Sequence, residues 1–593
     1  MRDRLKPLIA LLIALALLVA ACGSDGDSGG TGEGQENGEA PVDAAPAGEY
    51  PRDETLYTGG TQWGPPSNWN PMRNWDYATG TVNLLYETLF VYDPMEDTFT
   101  PWLAESGDPT DPASWPSDDV YEVTLKEGIT WSDGEPLTAE DVKFSIDLAE
   151  QGGPYADVAN WVEGVEAVDE RTVQVTFAET HYQQWANWLF QNAIVPKHLW
   201  EDRAAEDIFN GANEDPVGSG PYLYETHDQD RMVWVKNDDW WGKDPLGLDP
   251  KPKYIVDIVN SSNNVALGLV LQGGVDLNNN FLPGISRLIQ GGYPLRTYYP
   301  EPPYMLPANT AWLFLNTTRA PMDDAAFRRA LAFSIDMNKI VKNVYGDLVL
   351  PANPTGLLPI WDKYVDQSVV DELGFSYDPA EARKLLADAG YEDGDGDGFV
   401  ENTDGSPMKL SIRVPNGWSD WMEAINVISE SAKAVGINLQ TEFPTYDELV
   451  AARTPGDFDM VIANDRQVSN TPFTYYDYLF HLPVNDTTTS TLNYGRYENE
   501  KAWNLAQELD RTPVNDIEGM QAIISDLSEI FLEDLPTIPL WYNGAWSQAS
   551  EDVWTGWPAE DGANIYPVTW RNFWQMGSIY MLDQLELTPQ EEE

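Results

Sequence analysis

The residues of this 593-residue chain best suited to chemistry lie in one short turn, Pro415-Asn416-Gly417-Trp418-Ser419-Asp420-Trp421. An indole offers a flat apolar face, an amide both donates and accepts, and a carboxylate accepts charge-assisted hydrogen bonds. Together they form a set for gripping a ligand, not for cutting one. The same residue types recur in Gln62, Trp63 and Asn68, in Asn278 to Asn280, and in Asp465, Gln467 and Asn470. Trp418, Trp421 and Trp63 are expected at a ligand, with core packing as the alternative. Asp420 is equally suited to capping a helix, with Glu423 three positions on completing a capping box.

Reactive groups are sparse. The one cysteine, Cys22, precludes an internal disulfide or thiolate cluster, and His181, His198, His227 and His481 show no metal-ligand spacing. Asp420 and Glu423 share a helix turn and cannot flank a glycosidic bond from carboxylates about 5–9.5 Å apart. No nucleophile elbow, zinc motif or phosphate loop appears, so no enzyme and no cofactor is expected. Asp393, Asp395 and Asp397 with Gly398 imitate positions 1, 3, 5 and 6 of a calcium loop, and Asp404 falls at position 12. An EF-hand wants Glu there and flanking helices, whereas Met408 starts a strand. This is a weak calcium-loop pattern.

The elements that position the turn are legible. Met408, Leu410, Ile412 and Val414 alternate with polar residues, as in a strand with one buried face. Met422, Ile425, Ile428, Ala432 and Val435 make the apolar stripe of a helix that Gly436 ends, and Ile437, Leu439, Thr441 and Phe443 alternate again. The unit is βαβ, with its tryptophans at the carboxyl edge where open α/β sheets bind ligands.

A chain this long exceeds one hydrophobic core and divides into two or three lobes. Its net charge of −63, from 97 acidic and 34 basic side chains, excludes nucleic acid and implies a solvated acidic surface that screening by salt makes tolerable. The 24 tryptophans exceed what a core needs and suggest flat surfaces in a cleft. At the N-terminus, Arg2, Arg4 and Lys6 precede an apolar run from Leu8 to Ala21, shorter than the ~20 residues of a membrane span. Leu18-Val19-Ala20-Ala21-Cys22-Gly23 resembles a bacterial lipoprotein cleavage box, which makes Cys22 the lipidated N-terminus after processing. Residues 23–52 then read as a disordered tether, about 25–30 Å in root-mean-square reach. The expected location is the outer face of the cell membrane, with the lipid as anchor.

The stretch from Tyr121 to Ser145, with Gly128-Ile129-Thr130-Trp131-Ser132-Asp133-Gly134 and a helix capped by Thr138, resembles the family 5 extracellular solute-binding proteins. So do Val195 to Trp200, Pro216 to Tyr222, Trp240-Trp241-Gly242, Leu313 to Ile340 and Asp378 to Tyr391, in order over roughly residues 53–575. The resemblance implies an α/β, two-lobed periplasmic-binding-protein-like fold (type II, cluster C) with a two-crossing hinge near Leu306–Trp312 and Pro536–Tyr542. Lobe 1 is then expected over 53–305 with an extra subdomain at about 96–215, lobe 2 over 306–540, a return to lobe 1 over 541–580, and an acidic tail over 581–593. Trp541, Tyr542, Asn543 and Trp546 are expected to pack at the hinge. The implied role is that of a monomeric receptor delivering a small ligand to the permease subunits of an ABC importer.

The ligand class stays open between two chemistries. Peptide binders of this family commonly use a carboxylate in an Asp-Tyr-x-Asp-Pro-like segment, where this chain has Asn464-Asp465-Arg466-Gln467. Asp465 is the candidate, but the Asp-Pro is absent and Arg466 stands ready to neutralise it. The turn at 416–421, Gln62-Trp63 and Ser469-Asn470-Thr471-Pro472-Phe473 are similar to the branch that binds cello- and other β-linked oligosaccharides. Pyranose rings stack on indoles while amides serve their hydroxyls, so an oligosaccharide is the expected ligand and an oligopeptide the alternative.

Overall fold

In a computed structural model, residues 50–589 are described, apart from 61, 74–76, 154–155, 568 and 571–576. The signal-like segment, Cys22 and most of the tether lie outside the described residues.

Two sheets organise the body. The first has seven strands, in the order Leu295–Arg296, Gln548–Ser550, Leu277–Asn278, Thr55–Gly59, Tyr254–Ile258, Arg231–Lys236 and Tyr222–His227. Thr55–Gly59 is its centre and runs parallel to both neighbours. All five of its residues are buried, as a strand covered on both faces requires. The second sheet has six strands, Leu350–Pro351, Thr537–Gly544, Pro307–Leu315, Met460–Ala463, Leu410–Arg413 and Leu439–Glu442. The parallel pairs of Leu410–Arg413 with both neighbours confirm the βαβ reading. The intervening helix, Ser419–Ala434, closes in a Schellman motif. Gly436 N donates to Lys433 O and Ile437 N to Ala432 O, with Gly436 at φ +95°.

Each sheet centres one lobe. The chain passes from the first to the second between Arg296 and Pro307, and returns between Gly544 and Gln548. The return therefore comes later than 541, because Trp541 to Gly544 still pair with the Pro307–Leu315 strand. Trp541 is fully buried beside Tyr345, and the Tyr542 hydroxyl donates to Leu357 O at 2.7 Å. Within 96–215 a separate four-stranded antiparallel sheet, Ala104–Ser106, Val120–Leu125, Thr172–Phe177 and Val162–Ala167, forms a subdomain with the helix Tyr182–Gln191.

The ordered motifs have packing reasons. Gly218 and Gly220 run so close to the Leu84–Leu85 backbone that an added Cβ would sit 2.0 and 2.2 Å from carbonyl oxygens. Asp141 accepts from Thr138 N at 2.8 Å and from Lys197 N at 2.9 Å, tying the capped helix Ala139–Asp147 to the Pro196–Trp200 motif. Arg328 is buried and donates to the carbonyls of Met322, Asp534 and Leu535, which ends the long helix Ile517–Asp534 against Ala325–Ser334. Glu87 is buried completely, and its carboxylate accepts from the indoles of Trp102, Trp240 and Trp241 at 2.9, 3.1 and 2.8 Å. Burial pushes its carboxyl up to about 7, against the lowering effect of these donors.

Candidate functional site

The lobes meet along two seams. On the first, the loop after Thr55–Gly59 brings Trp63 to Trp418 of the second lobe, with ring centroids 6.2 Å apart. Trp418 also meets Trp421 edge-on at 4.9 Å and stacks on Tyr446 at 5.9 Å. Trp63 and Tyr446 keep 37% and 50% of their surface exposed, whereas Trp421 is buried.

Beside these rings runs a buried polar chain. Asn263, at the start of the first-lobe helix Asn263–Leu271, donates to Asp420 Oδ1 at 3.0 Å and to Ser419 Oγ at 3.1 Å. Asn280 Nδ2 donates to Asn263 Oδ1, and the Tyr345 hydroxyl donates to Asp420 Oδ2 at 3.2 Å. Asp420 is thus not the helix cap. The helix starts at Ser419 behind Trp418, and the Asp420 carboxylate, already inside the first turn, turns to these donors while Glu423 is exposed. Desolvation pushes its carboxyl up to about 6, opposed by backbone amides and by Tyr345 and Asn263.

The second seam holds the large cavity, about 810 Å³, within the usual range for small-ligand sites of about 300–1,000 Å³. One wall is the subdomain, with Trp161 and the helix Tyr182–Gln191; the other is the second lobe, from Asp465 to Gln467 and from Phe473 to Arg511. The helix exposes one face to it. Gln184, Asn187, Trp188 and Gln191 follow at i, i+3, i+4 and i+7, which puts three amides and an indole in one stripe. Trp188 stacks on Trp185 at 5.1 Å and 6°, fixing its plane. Trp503 and Asn160 add a further indole and amide to the lining.

Most charges on these walls are already matched. His181 Nδ1 lies 2.6 Å from Asp510 Oδ2, His481 Nδ1 2.7 Å from Asp477 Oδ1, and Arg511 pairs with Glu179. Burial lowers the His481 pKa, but the Asp477 hydrogen bond and the charges of Asp477 and Asp157 outweigh it, so the net shift is upward. Asp157 is exposed where it opens onto the cavity, and partial desolvation together with the charges of Asp477 and Asp510 raises its carboxyl.

Asp465 lines the same cavity, with Tyr494 donating at 2.6 Å and Arg453 at 3.3 Å. Its counter-charge is therefore Arg453, not Arg466 as the sequence suggests. Arg466 instead donates to the carbonyls of Asp465 and Thr491. Gln467 is on the cavity wall and accepts from Asn309 at 2.8 Å.

The remaining candidates serve the protein itself in this arrangement. Gln62 is buried, accepts from Thr79 N and donates to Gly64 O. Asn68 is buried and accepts from Asn70 N in a local turn. Asn278 is fully buried in the first sheet and donates to Asn280 O, while Asn470 is buried and accepts from Ser469. Asn416 is exposed at the turn's tip. In the acidic loop, Asp393, Asp395 and Asp397 gather with Glu401 so that one ligand oxygen from each lies within 4.8 Å of the others. Asp404 instead accepts from Ser406 N.

The sequence reading missed the subdomain wall. Its signal was available in the stripe of Gln184, Asn187, Trp188 and Gln191, a helical period carrying the residue types sought elsewhere. Two of the four histidines, His181 and His481, also line the cavity.

Comparison with known proteins gives a consistent result. The family described as bacterial extracellular solute-binding proteins, family 5 Middle, matches residues 98–486. The oligopeptide-binding protein AppA of Bacillus subtilis (strain 168) is 24% identical over 550 residues, 90% of this chain and 92% of its own. A periplasmic oligopeptide-binding protein of an oligopeptide ABC transporter from Thermotoga maritima superposes with a TM-score of 0.86 at 43% identity, covering 91% of this chain and 100% of its own. The structure of that protein with mannohexaose bound superposes at 0.84.

Proposed function

The chain belongs to the bacterial extracellular solute-binding proteins of family 5, and from that premise we propose that it captures an oligosaccharide between its lobes for import. It is the substrate-binding protein of an ABC importer, not an enzyme, and it works outside the cytoplasm. In our reading it is held at the membrane by a lipid on Cys22 and acts as a monomer.

The observation that carries the ligand class is the state of Asp465. A peptide's α-amine is best met by a carboxylate of uncompensated charge, but the charge of Asp465 is already paired with the Arg453 guanidinium, which shares its Oδ2 with the Tyr494 hydroxyl. Beside it the walls present amides at helical spacing and indole surface. Hydroxyl groups that donate and accept at once are served by amides, and the C–H faces of pyranose rings by indoles. The mannohexaose held by the Thermotoga maritima protein supports the same class. Specific binding followed by lobe closure is the whole mechanism; no bond is made or broken.

Calorimetric titration of residues 50–593 with mannohexaose and with cellobiose to cellohexaose, against a pool of tri- to nonapeptides, tests this. Micromolar binding of a sugar, roughly −8 kcal/mol, with silence from the peptides is the expected result. Peptide binding without any response to sugars overturns the ligand class and leaves the transport role.

A further inference from the structure

The helix Tyr182–Gln191 begins without a cap of its own: His181 precedes it and makes no side-chain cap to the first turn. The cap comes instead from the other lobe. Asp510, the last residue of the second-lobe helix Glu500–Asp510, accepts from the backbone N of Gln184 at 3.1 Å and from Gln184 Nε2 at 2.6 Å. The adjacent Gln183, fully buried, donates to Thr512 O and accepts from Thr471 Oγ1, both at 2.7 Å, and Ser469 donates to Asn187 at 2.6 Å. All these second-lobe partners are more than 280 residues away in sequence from the helix they bind.

We infer that Asp510 is a closing clasp, a second-lobe carboxylate that caps the subdomain helix only when the lobes meet and so couples ligand enclosure to order at that helix's first turn. The reasoning is an accounting of backbone groups. The first four amides of any helix lack internal partners, and one left in water is satisfied, whereas one buried at a seam needs an acceptor. Opening the seam exchanges the Asp510 carboxylate for water at both ends, so the clasp favours the closed form by the margin of a charged cap over solvent. Since Gln184, Asn187, Trp188 and Gln191 line the cavity from the same helix, the clasp also fixes the wall a ligand meets. Asp510 acts here as a positioning residue. The inference adds to the transport role and holds for either ligand class.

The test is a distance measurement across the seam in residues 50–593, with spin labels at the exposed Glu206 of the subdomain and Glu508 of the second lobe. It is run without ligand and with whichever of mannohexaose or the peptide pool closes the wild type. Asp510→Ala is expected to lower the closed-to-open ratio roughly tenfold, the scale of a lost helix cap, and to speed amide exchange at Gln184. Asp510→Asn, which keeps an acceptor without the charge, falls between. Gln183→Leu provides a second break of the same seam should Asp510→Ala fail to fold. A closed population and Gln184 exchange that match the wild type in Asp510→Ala, or in Gln183→Leu should Asp510→Ala not fold, overturn the clasp, as does a subdomain helix equally protected in the open form. Failure of the sugars to bind bears only on ligand class, since the distances are read with either ligand.

Discussion

The two seams between the lobes are built from opposite materials. One is aromatic: Trp63, Trp418, Trp421 and Tyr446 lie against one another, with the single buried carboxylate Asp420 behind them. The other is polar: amides, histidines and carboxylates from the subdomain and the second lobe interlock around an 810 Å³ cavity. The first seam gains mainly from ring contact, with one buried hydrogen-bonded chain from Asn280 through Asn263 to Asp420 behind the rings. Hydrogen bonds to buried groups are lost outright when geometry shifts, so the second reads position.

This contrast can be broken most forcefully through its tryptophans. Trp188 is fully buried on the polar seam, and Trp188→Ala is expected to cost about 3–5 kcal/mol in urea unfolding. Trp418→Ala on the partly exposed aromatic seam is expected to cost about 1 kcal/mol. Equal losses would erase the distinction.

The next largest effect is electrostatic. Asp420 has its carboxyl raised from 3.8 to about 6 in the folded form, so that form holds the proton more tightly than the unfolded chain does. Its contribution is fully present below about pH 4 and is lost as the pH rises through about 6, on the order of 3 kcal/mol in all. Unfolding curves at pH 4.5 and 7.5 should therefore converge for Asp420→Asn relative to the wild type. The groups facing the carboxylate are Asn263, Ser419 and Tyr345, none of them ionised over this range.

Affinity sharpens the comparison further. Trp503, half-buried on the cavity wall, should weaken sugar binding by about 1 kcal/mol, roughly fivefold in Kd, when changed to alanine. A larger loss from Trp418→Ala than from Trp503→Ala, in the same titration, would extend the ligand across the aromatic seam. The smallest effect on affinity is expected at Asp465. Asp465→Asn should leave sugar affinity within about twofold while costing about 1–3 kcal/mol of stability, because it leaves the buried Arg453 without its counter-charge. A large affinity loss there would return the peptide reading.

Sequence periodicity made the fold legible where one face of an element is buried and the other is not. The alternation around Leu410–Arg413 and the stripe of Ser419–Ala434 led straight to a βαβ unit, and the glycines of 216–222 proved to be close backbone passages. The site was less legible, because the residue types that bind a ligand also satisfy a protein interior. Gln62, Asn68 and Asn278 have the chemistry of sugar contacts and spend it on Thr79, Asn70 and Asn280. Which amide faces a cavity depends on partners hundreds of residues away, as Gln183 and Thr512 show, and no local pattern carries that. The strand boundary at Gly544 escaped for a related reason. It is set by cross-strand pairing to Pro307, not by any break in composition.

The carboxylate of Glu87 at the hub of three indoles has a consequence of an optical kind. Its proton leaves near pH 7, and a full negative charge then appears within 3.1 Å of the pyrrole nitrogens of Trp102, Trp240 and Trp241. A charge at that end of the ring shifts the energy of the indole excited state. Ultraviolet absorption and emission of these three indoles are therefore expected to change as the pH passes through neutrality, an unlabelled optical report on a single buried proton of the first lobe.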